Sequence, residues 1–224
     1  MSGSAHYDGF ADWYDTEFQP APLESEGWTT LVTLLGDGPG ALIDVGCGTG
    51  AYAAGLADHG WEVTGIDVSE DMLRRARAKG VHAVHADATA LPFDASVFDA
   101  AISVFTHTDV DDFAASVQEI ARVLRPEGPF VYLGVHPCFV GPHSVYDPLG
   151  LTPELHPGWY RHVGRYKEAP GVWRASGVRV RVGASHLPLG LFLQTFINAG
   201  FRLERIEEPH EREYTFMLAT RWRR

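Results

Sequence analysis

Asp44, Gly46, Gly48 and Gly50 fall within one short stretch, IDVGCGTGAY, and two more aspartates, Asp67 and Asp87, follow at intervals of about twenty residues. Alternating glycines leave backbone amides bare, so a ligand can approach them closely. A carboxylate beside that loop then selects the ligand by charge. Asp44 stands two positions before Gly46, where a pyrophosphate would meet it at close range. Unit charges about 4 Å apart repel by roughly 4 kcal/mol at an effective dielectric of 20.

A phosphate-free ligand with an ammonium and a sulfonium gains where a pyrophosphate loses, and S-adenosylmethionine carries both. A carboxylate at Asp67 can accept hydrogen bonds from both hydroxyls of a ribose. One at Asp87 can accept from an adenine amino group while the Ala88 N–H donates to a ring nitrogen. Singly, a strand-end aspartate is as often a cap for the next helix or turn; three in series beside a glycine loop point to a ligand site. Gly46-x-Gly48-x-x-Ala51 with Asp67 also meets the dinucleotide fingerprint loosely. That keeps an NAD(P)-dependent oxidoreductase as a remote alternative, although neither lysine has a tyrosine four residues before it.

Residues that could act on a second substrate are histidines and aromatics. His107 follows the fourth apolar run in FTHTDVDDF, close to Asp109 and Asp111, and could serve as a general base if the acceptor must lose a proton. The competing reading makes His107 a solvent-facing turn residue and Asp109 a helix cap. His136 and His143 open a segment that also holds His156, His162, Tyr146, Trp159, Tyr160 and Tyr166. Aromatic walls and imidazoles suit a flat small molecule; a surface insertion tucked down by its aromatics is the alternative. Arg179 and Arg181 alternate with valines as on an edge strand. They could pair with a carboxylate on the acceptor or simply face solvent. No histidine pair has metal-ligand spacing on a single helix, so no metal is expected.

The elements that must position these residues alternate. ALIDV, EVTGIDV, VHAVHAD, FDAAISV and PFVYLGV read as strands. Helices are expected over Gly50–His59, over SEDMLRRARAKG with Ser69 as its N-cap, and over about Val110–Leu124 with Asp109 as the cap. This rhythm means βαβ units and a parallel sheet. LGLFLQTFINAG returns to helix, and FRLERIEE and YTFMLATRW read as two last strands. Upstream, AHYDGFADWYDTEF and LESEGWTTLVTLLG read as two helices. The expected units are cap helices over 1–40, a cofactor-binding core over 41–135, a lid or substrate insertion over 136–188, and a helix and hairpin over 189–224.

The whole chain sets the outer limits. It has 224 residues, 45% hydrophobic and 21% charged, with a formal net charge of −11 and only two lysines. Such a surface repels a polyphosphate backbone, so nucleic acid is not expected as a partner. Cys47 and Cys138 are far apart, and Cys47 reads as packing. The start lacks a leader-like pattern and no apolar run reaches membrane-span length, so a cytoplasmic protein without membrane attachment is expected, as monomer or homodimer.

IDVGCGTG, GIDVSEDML, ADATALPFDASVFDAAISV and EIARVLRPEG, in that order, resemble the successive motifs of the class I S-adenosylmethionine-dependent methyltransferases, in the branch with ubiquinone-biosynthesis-type and small-molecule enzymes. YDGFADWYD resembles that branch's YDxxAxxYD signature. The likeness runs from Tyr7 to Val135; RPEGPF departs from the family's usual double glycine, on a turn remote from the cofactor. The resemblance implies a Rossmann-like α/β fold: a seven-stranded, mostly parallel sheet with helices on both faces, an antiparallel last strand and a lid after the fifth strand. It implies that Asp44, Gly46 and Gly48 hold the methionine end of the cofactor, with Gly50 completing the loop. Asp67 would take the ribose, Asp87 and Ala88 the adenine, and Val68 and Met72 would pack on the adenine ring. Ser103 would bring backbone near the sulfonium, and Tyr14, with Tyr7, would close over the top. The implied reaction is methyl transfer to a small, aromatic or natural-product-like acceptor, yielding S-adenosylhomocysteine. A protein that binds the cofactor without transferring methyl is the alternative.

Overall fold

The computed structural model describes residues 5–19, 21–146, 152–171, 178–209 and 214–224. The N-terminal segment is one turn of helix, α1 (Ala11–Trp13), continued by a π-helical turn over Tyr14–Phe18, and not the single longer helix expected. After a 3-10 turn at Pro22–Glu24, α2 (Glu26–Leu35) begins where Ser25 accepts a hydrogen bond from the Trp28 N–H.

The core then alternates strand and helix. In order come β1 (Gly40–Val45), α3 (Ala51–Asp58), β2 (Trp61–Asp67), α4 (Glu70–Ala78), β3 (His82–His85) and β4 (Ala100–Val104). A 3-10 turn at Thr106–Thr108 leads to α5 (Phe113–Val123) and β5 (Pro129–Val135). Ser69 caps α4 as the sequence suggests, accepting from the Met72 N–H. The cap of α5 is Asp112, not Asp109: its side chain accepts from the Ala115 N–H, while Asp109 closes the 3-10 turn.

The insertion carries small elements: β6 (Ser144–Tyr146), β7 (Pro153–Leu155), α6 (Pro157–Tyr160), β8 (Gly164–Tyr166), α7 (Val178–Val182) and β9 (Ala184–His186). β6 pairs with β7 and β8 with β9, each as a two-stranded antiparallel ribbon. The expected edge strand at VRVRV is the helix α7 instead. Five residues of alternation cannot separate the two periods, and contacts from neighbouring segments decide. Helix α8 (Leu189–Asn198) and strands β10 (Arg202–Glu207) and β11 (Met217–Arg223) close the chain.

Seven strands form one sheet in the order β10-β11-β5-β4-β1-β2-β3. The strands from β3 to β5 are parallel, and β11 runs antiparallel to both β5 and β10. Successive side chains of a strand face opposite sides, and here both sides are covered. Ile43, Ala101, Phe130 and Tyr132 pack under α5 and α8 with Phe113, Phe196 and Trp222, whereas Leu42, Ile102, Val131 and Leu133 meet Leu31, Leu34 and Leu56 of α2 and α3. That double burial is why the central strands read as unbroken apolar runs. Strand order reverses between β1 and β4, which places a crevice at their carboxyl ends, where ligands of such folds bind.

Candidate cofactor and acceptor site

The loop after β1 divides its labour among three glycines. A Cβ on Gly46 would lie 2.1 Å from Cγ2 of Thr106, and one on Gly50 would lie 2.7 Å from Cβ of Ala76 on α4. These two glycines let the loop close against its neighbours. Gly48, with φ of +52°, faces open space. All three have positive φ, a conformation that glycine adopts without strain.

Asp44, next to last in β1, is buried, and its Oδ1 has no hydrogen-bond partner. Burial, with the nearby charge of Asp67, pushes its carboxyl up to about 8. An orphaned buried carboxylate is costly unless a cation or donor meets it. The Asp67 carboxylate is held on both sides: Oδ2 accepts from the Gly48 N–H and Oδ1 from the Ser69 N–H, each at 2.9 Å. Burial raises its pKa and those amide bonds oppose the rise. Asp87 is exposed, and its Oδ1 accepts from both the N–H and the hydroxyl of Thr89. Ala88 and Met72 are buried, while Val68 is half exposed at 50%. Ser103 is buried, donates to the Val45 carbonyl at 3.1 Å and is hydrogen-bonded to the Thr106 hydroxyl.

A cavity with about 360 Å³ of empty space, part of it open to solvent, lies over the glycine loop. Tyr14, Asp44, Gly46 and Gly48 line it, together with Gln19, Thr49, Tyr52, Val104 and Phe105, which sequence reasoning passed over. Phe105 sits on this wall with φ of +59°, a left-handed backbone unusual for a bulky residue; no sequence signal announces it. Asp67, Val68, Met72, Asp87, Ala88 and Ser103 stand outside this lining, so the cavity corresponds to the end of the crevice nearest Asp44.

The N-terminal segment is laced over α4. Asp8 accepts from the Ser69 hydroxyl at 2.7 Å and the Gly9 N–H donates to Asp71 at 2.6 Å. Asp12 is paired with Arg75, and Asp15 with Lys79 at 2.6 Å. Aspartates spaced by three or four residues thus meet one face of α4 and hold Tyr14 on the cavity wall. Tyr7 packs edge-on against Tyr14, with ring centroids 5.6 Å apart, and donates its hydroxyl hydrogen to Asp109 at 3.1 Å.

The three histidines go elsewhere. His107 is neither solvent-facing nor on the cavity wall. The 3-10 turn drives it into the core among Phe113, Tyr132 and Phe192, where Nδ1 is hydrogen-bonded to the Tyr132 hydroxyl. Burial first, then the charges of Arg179 and His186, bring its pKa down to about 3. His136 is buried, with Nδ1 accepting from the Cys138 N–H and Nε2 facing Glu208 at 3.0 Å. His143 donates from Nε2 to the Cys138 carbonyl at 2.8 Å and packs edge-on against Tyr160 and tilted against His186; its buried Nδ1 has no partner. Cys47 is buried beside Leu73 and Ala76.

Comparison with known proteins agrees with this geometry. The family model described as "Methyltransferase domain" matches residues 43–132, from the start of the Asp44 loop into β5. Malonyl-[acyl-carrier protein] O-methyltransferase of Pseudescherichia vulneris is 31% identical over 159 residues, 70% of this chain and 57% of that protein. Demethylmenaquinone methyltransferase of Mycobacterium marinum is 36% identical over 128 residues, 56% of this chain and 55% of that one. A solved S-adenosylmethionine-dependent methyltransferase from Mesorhizobium loti superposes with a TM-score of 0.74 at 28% identity, covering 89% of this chain and 98% of its own. From its sheet to its glycine loop the chain is similar to the class I S-adenosylmethionine-dependent methyltransferases. S-adenosylmethionine, on which the Mesorhizobium loti protein depends, is the group this site can be matched to. The residues present fit that group: an unpartnered buried carboxylate suits its ammonium, and the open face at Gly48 leaves room for it. The chain spans little more than half the length of the curated relatives it matches.

Among the described residues, no helix is long and apolar enough to cross a membrane.

Proposed function

We propose that this chain transfers the methyl group of S-adenosylmethionine to a small-molecule acceptor. The observation that carries the reading is the orphaned Asp44 carboxylate on the wall of a cavity beside the glycine loop. The cofactor supplies an activated methyl group whose transfer releases a neutral thioether. Asp44, with Gly46 and Gly48, binds the amino-acid end. Asp67, already locked by two amides, offers its remaining lone pairs to the ribose. Asp87, Ala88, Val68 and Met72 take the adenine, and Ser103 fixes the floor through Val45 and Thr106.

Tyr14 closes the near wall and excludes water, so the chain's main contribution is alignment. Holding two reactants in line can supply on the order of 7–11 kcal/mol of barrier reduction in the best cases. We assign His107 to packing, since its imidazole is committed to Tyr132 and kept neutral by burial. His136 and His143 belong to the insertion's own framework by the same reasoning. The named relatives act on malonyl-acyl-carrier protein and demethylmenaquinone, which supports a metabolite-like acceptor without choosing one. The test is calorimetric binding of S-adenosylhomocysteine, followed by a metabolite screen with mass detection of one added methyl. Micromolar-range binding and acceptor-dependent release of S-adenosylhomocysteine are expected; preference for NAD(P)H would overturn the reading.

A further inference from the structure

This inference rests on the proposed methyl transfer and concerns the class of acceptor. Next to the cavity wall, the N-terminal segment, the 3-10 turn and the insertion bring together a polar cluster that the cofactor does not use. Tyr7 joins Tyr14 on the cavity wall to Asp109. Thr108 donates to the other Asp109 oxygen at 3.3 Å. From the insertion, Arg179 of α7 reaches in and donates from Nη1 to the Tyr166 hydroxyl at 3.0 Å. Its positive charge is also felt at Tyr7, His107, Asp109, Tyr132 and His186.

Among the described residues, Arg179 is one of the few arginines without an ion pair. The chain has 29 acidic residues against 18 basic ones, and most described arginines meet a carboxylate: Arg75 meets Asp12, Arg122 meets Glu119, and Arg165 meets Asp111. Arg179 is half-buried, and among the described residues it has no carboxylate at ion-pair distance; its partner is a neutral phenol. Asp109 influences it through space but is engaged by Tyr7 and Thr108. Arg181, two residues on, lies over the rings of Trp13 and Phe10, so the two arginines differ in environment. A guanidinium drawn out of water without an anion is unfavourable, and its planar fork fits a carboxylate through two parallel bonds.

Charge distribution argues independently for the same ligand. Residues 136–188 hold six basic residues and three acidic ones, while the whole chain carries −11. An anion is repelled by most of this protein and drawn to this insertion. We propose that the acceptor is a small carboxylate-bearing molecule whose carboxylate is held by Arg179 beside Tyr166, with the remainder passing Tyr7 toward the cavity lined by Tyr14.

Benzoate and the isosteric neutral benzamide are suitable probes, titrated by calorimetry into protein saturated with S-adenosylhomocysteine. Benzoate should bind about ten-fold or more tightly than benzamide, as a charge-assisted pair implies. Arg179→Gln should erase that preference and leave S-adenosylhomocysteine affinity unchanged. Equal affinities, no measurable benzoate binding to the loaded wild-type protein, or a preference that survives Arg179→Gln would overturn the proposal. Should the glutamine variant lose S-adenosylhomocysteine as well, Arg179→Lys decides. Its benzoate affinity must fall several-fold, because a point charge replaces the fork; unchanged affinity contradicts the proposal. Failure of the wild-type protein to bind S-adenosylhomocysteine at all removes the methyl-transfer reading first, and this inference with it.

Discussion

The crevice at the ends of β1 and β2 and the insertion over 136–188 are built on opposite terms. The crevice is acidic and assembled from strand tips. Asp44 and Asp67 sit near the carboxyl ends of two adjacent parallel strands, and backbone amides hold Asp67 in place. The insertion is basic, made of two short ribbons and two short helices, and its polar groups are tied to each other: His143 to Cys138, His186 to Tyr160, Arg165 to Val182. One region offers carboxylates to a cationic ligand on a rigid frame. The other presents a guanidinium on a framework of local contacts. On the proposed reading, cofactor and acceptor recognition are separated by charge as well as by segment, so either can change without the other.

Breaking the frame itself should have the largest effect. Trp222 is fully buried and stacked on Phe196, with ring centroids 4.5 Å apart. Trp222→Ala should destabilise the protein by about 3–5 kcal/mol in denaturant unfolding. Asp67→Ala comes next: it removes the ribose acceptor and frees the Gly48 and Ser69 amides. Affinity for S-adenosylhomocysteine should fall about a hundred-fold or more, near 3 kcal/mol, with little change in benzoate discrimination if the two regions are separate. His107→Ala should cost about 2 kcal/mol of stability, as for a buried side chain leaving a cavity and an unpaired Tyr132 hydroxyl. Cofactor affinity measured by calorimetry should hold. A selective loss of turnover at unchanged stability would return His107 to the mechanism.

The smallest effect concerns the N-terminal segment laced over α4. Reversing the exposed pair as Asp12→Arg loosens the N-terminal segment from α4 without touching the crevice. Dissociation of S-adenosylhomocysteine in stopped flow should quicken by a factor of about two to five, consistent with a surface ion pair, and Arg75→Asp in the same protein should restore it.

Legibility in the sequence follows the same division. Strands buried on both faces, such as Leu42–Val45 and Phe130–Val135, announce themselves because burial demands continuous apolar residues. Ser69 and the glycine loop are equally readable, since caps and positive φ constrain residue type locally. What failed was tertiary in origin. The 3-10 turn after β4 depends on Gly46 yielding space to Thr106, and it rotates His107 inward while moving the helix cap from Asp109 to Asp112. Helix α7 takes its form in a segment whose alternating pattern favours a strand. The three acids also proved unequal: Asp44 is orphaned, Asp67 is braced, and Asp87 fastens its own turn at Thr89.

The central claim is that Asp44 awaits a cation. Its carboxyl, raised to about 8, binds a proton that the unfolded chain has already lost above its ordinary value near 4. Between those two values the folded state holds more protons, so this group's effect on the cofactor-free protein grows less favourable as pH rises. Asp44→Asn should therefore stabilise the empty protein increasingly across that window while weakening ligand binding. The decisive measurement is the proton count on binding S-adenosylhomocysteine at pH 7, by calorimetry in buffers of different ionisation enthalpy. Release of close to one proton in the wild-type protein and of none in Asp44→Asn is expected, because the ligand's ammonium returns Asp44 to its ionised form. Tight binding without proton release, or equal affinity in Asp44→Asn, would contradict the account.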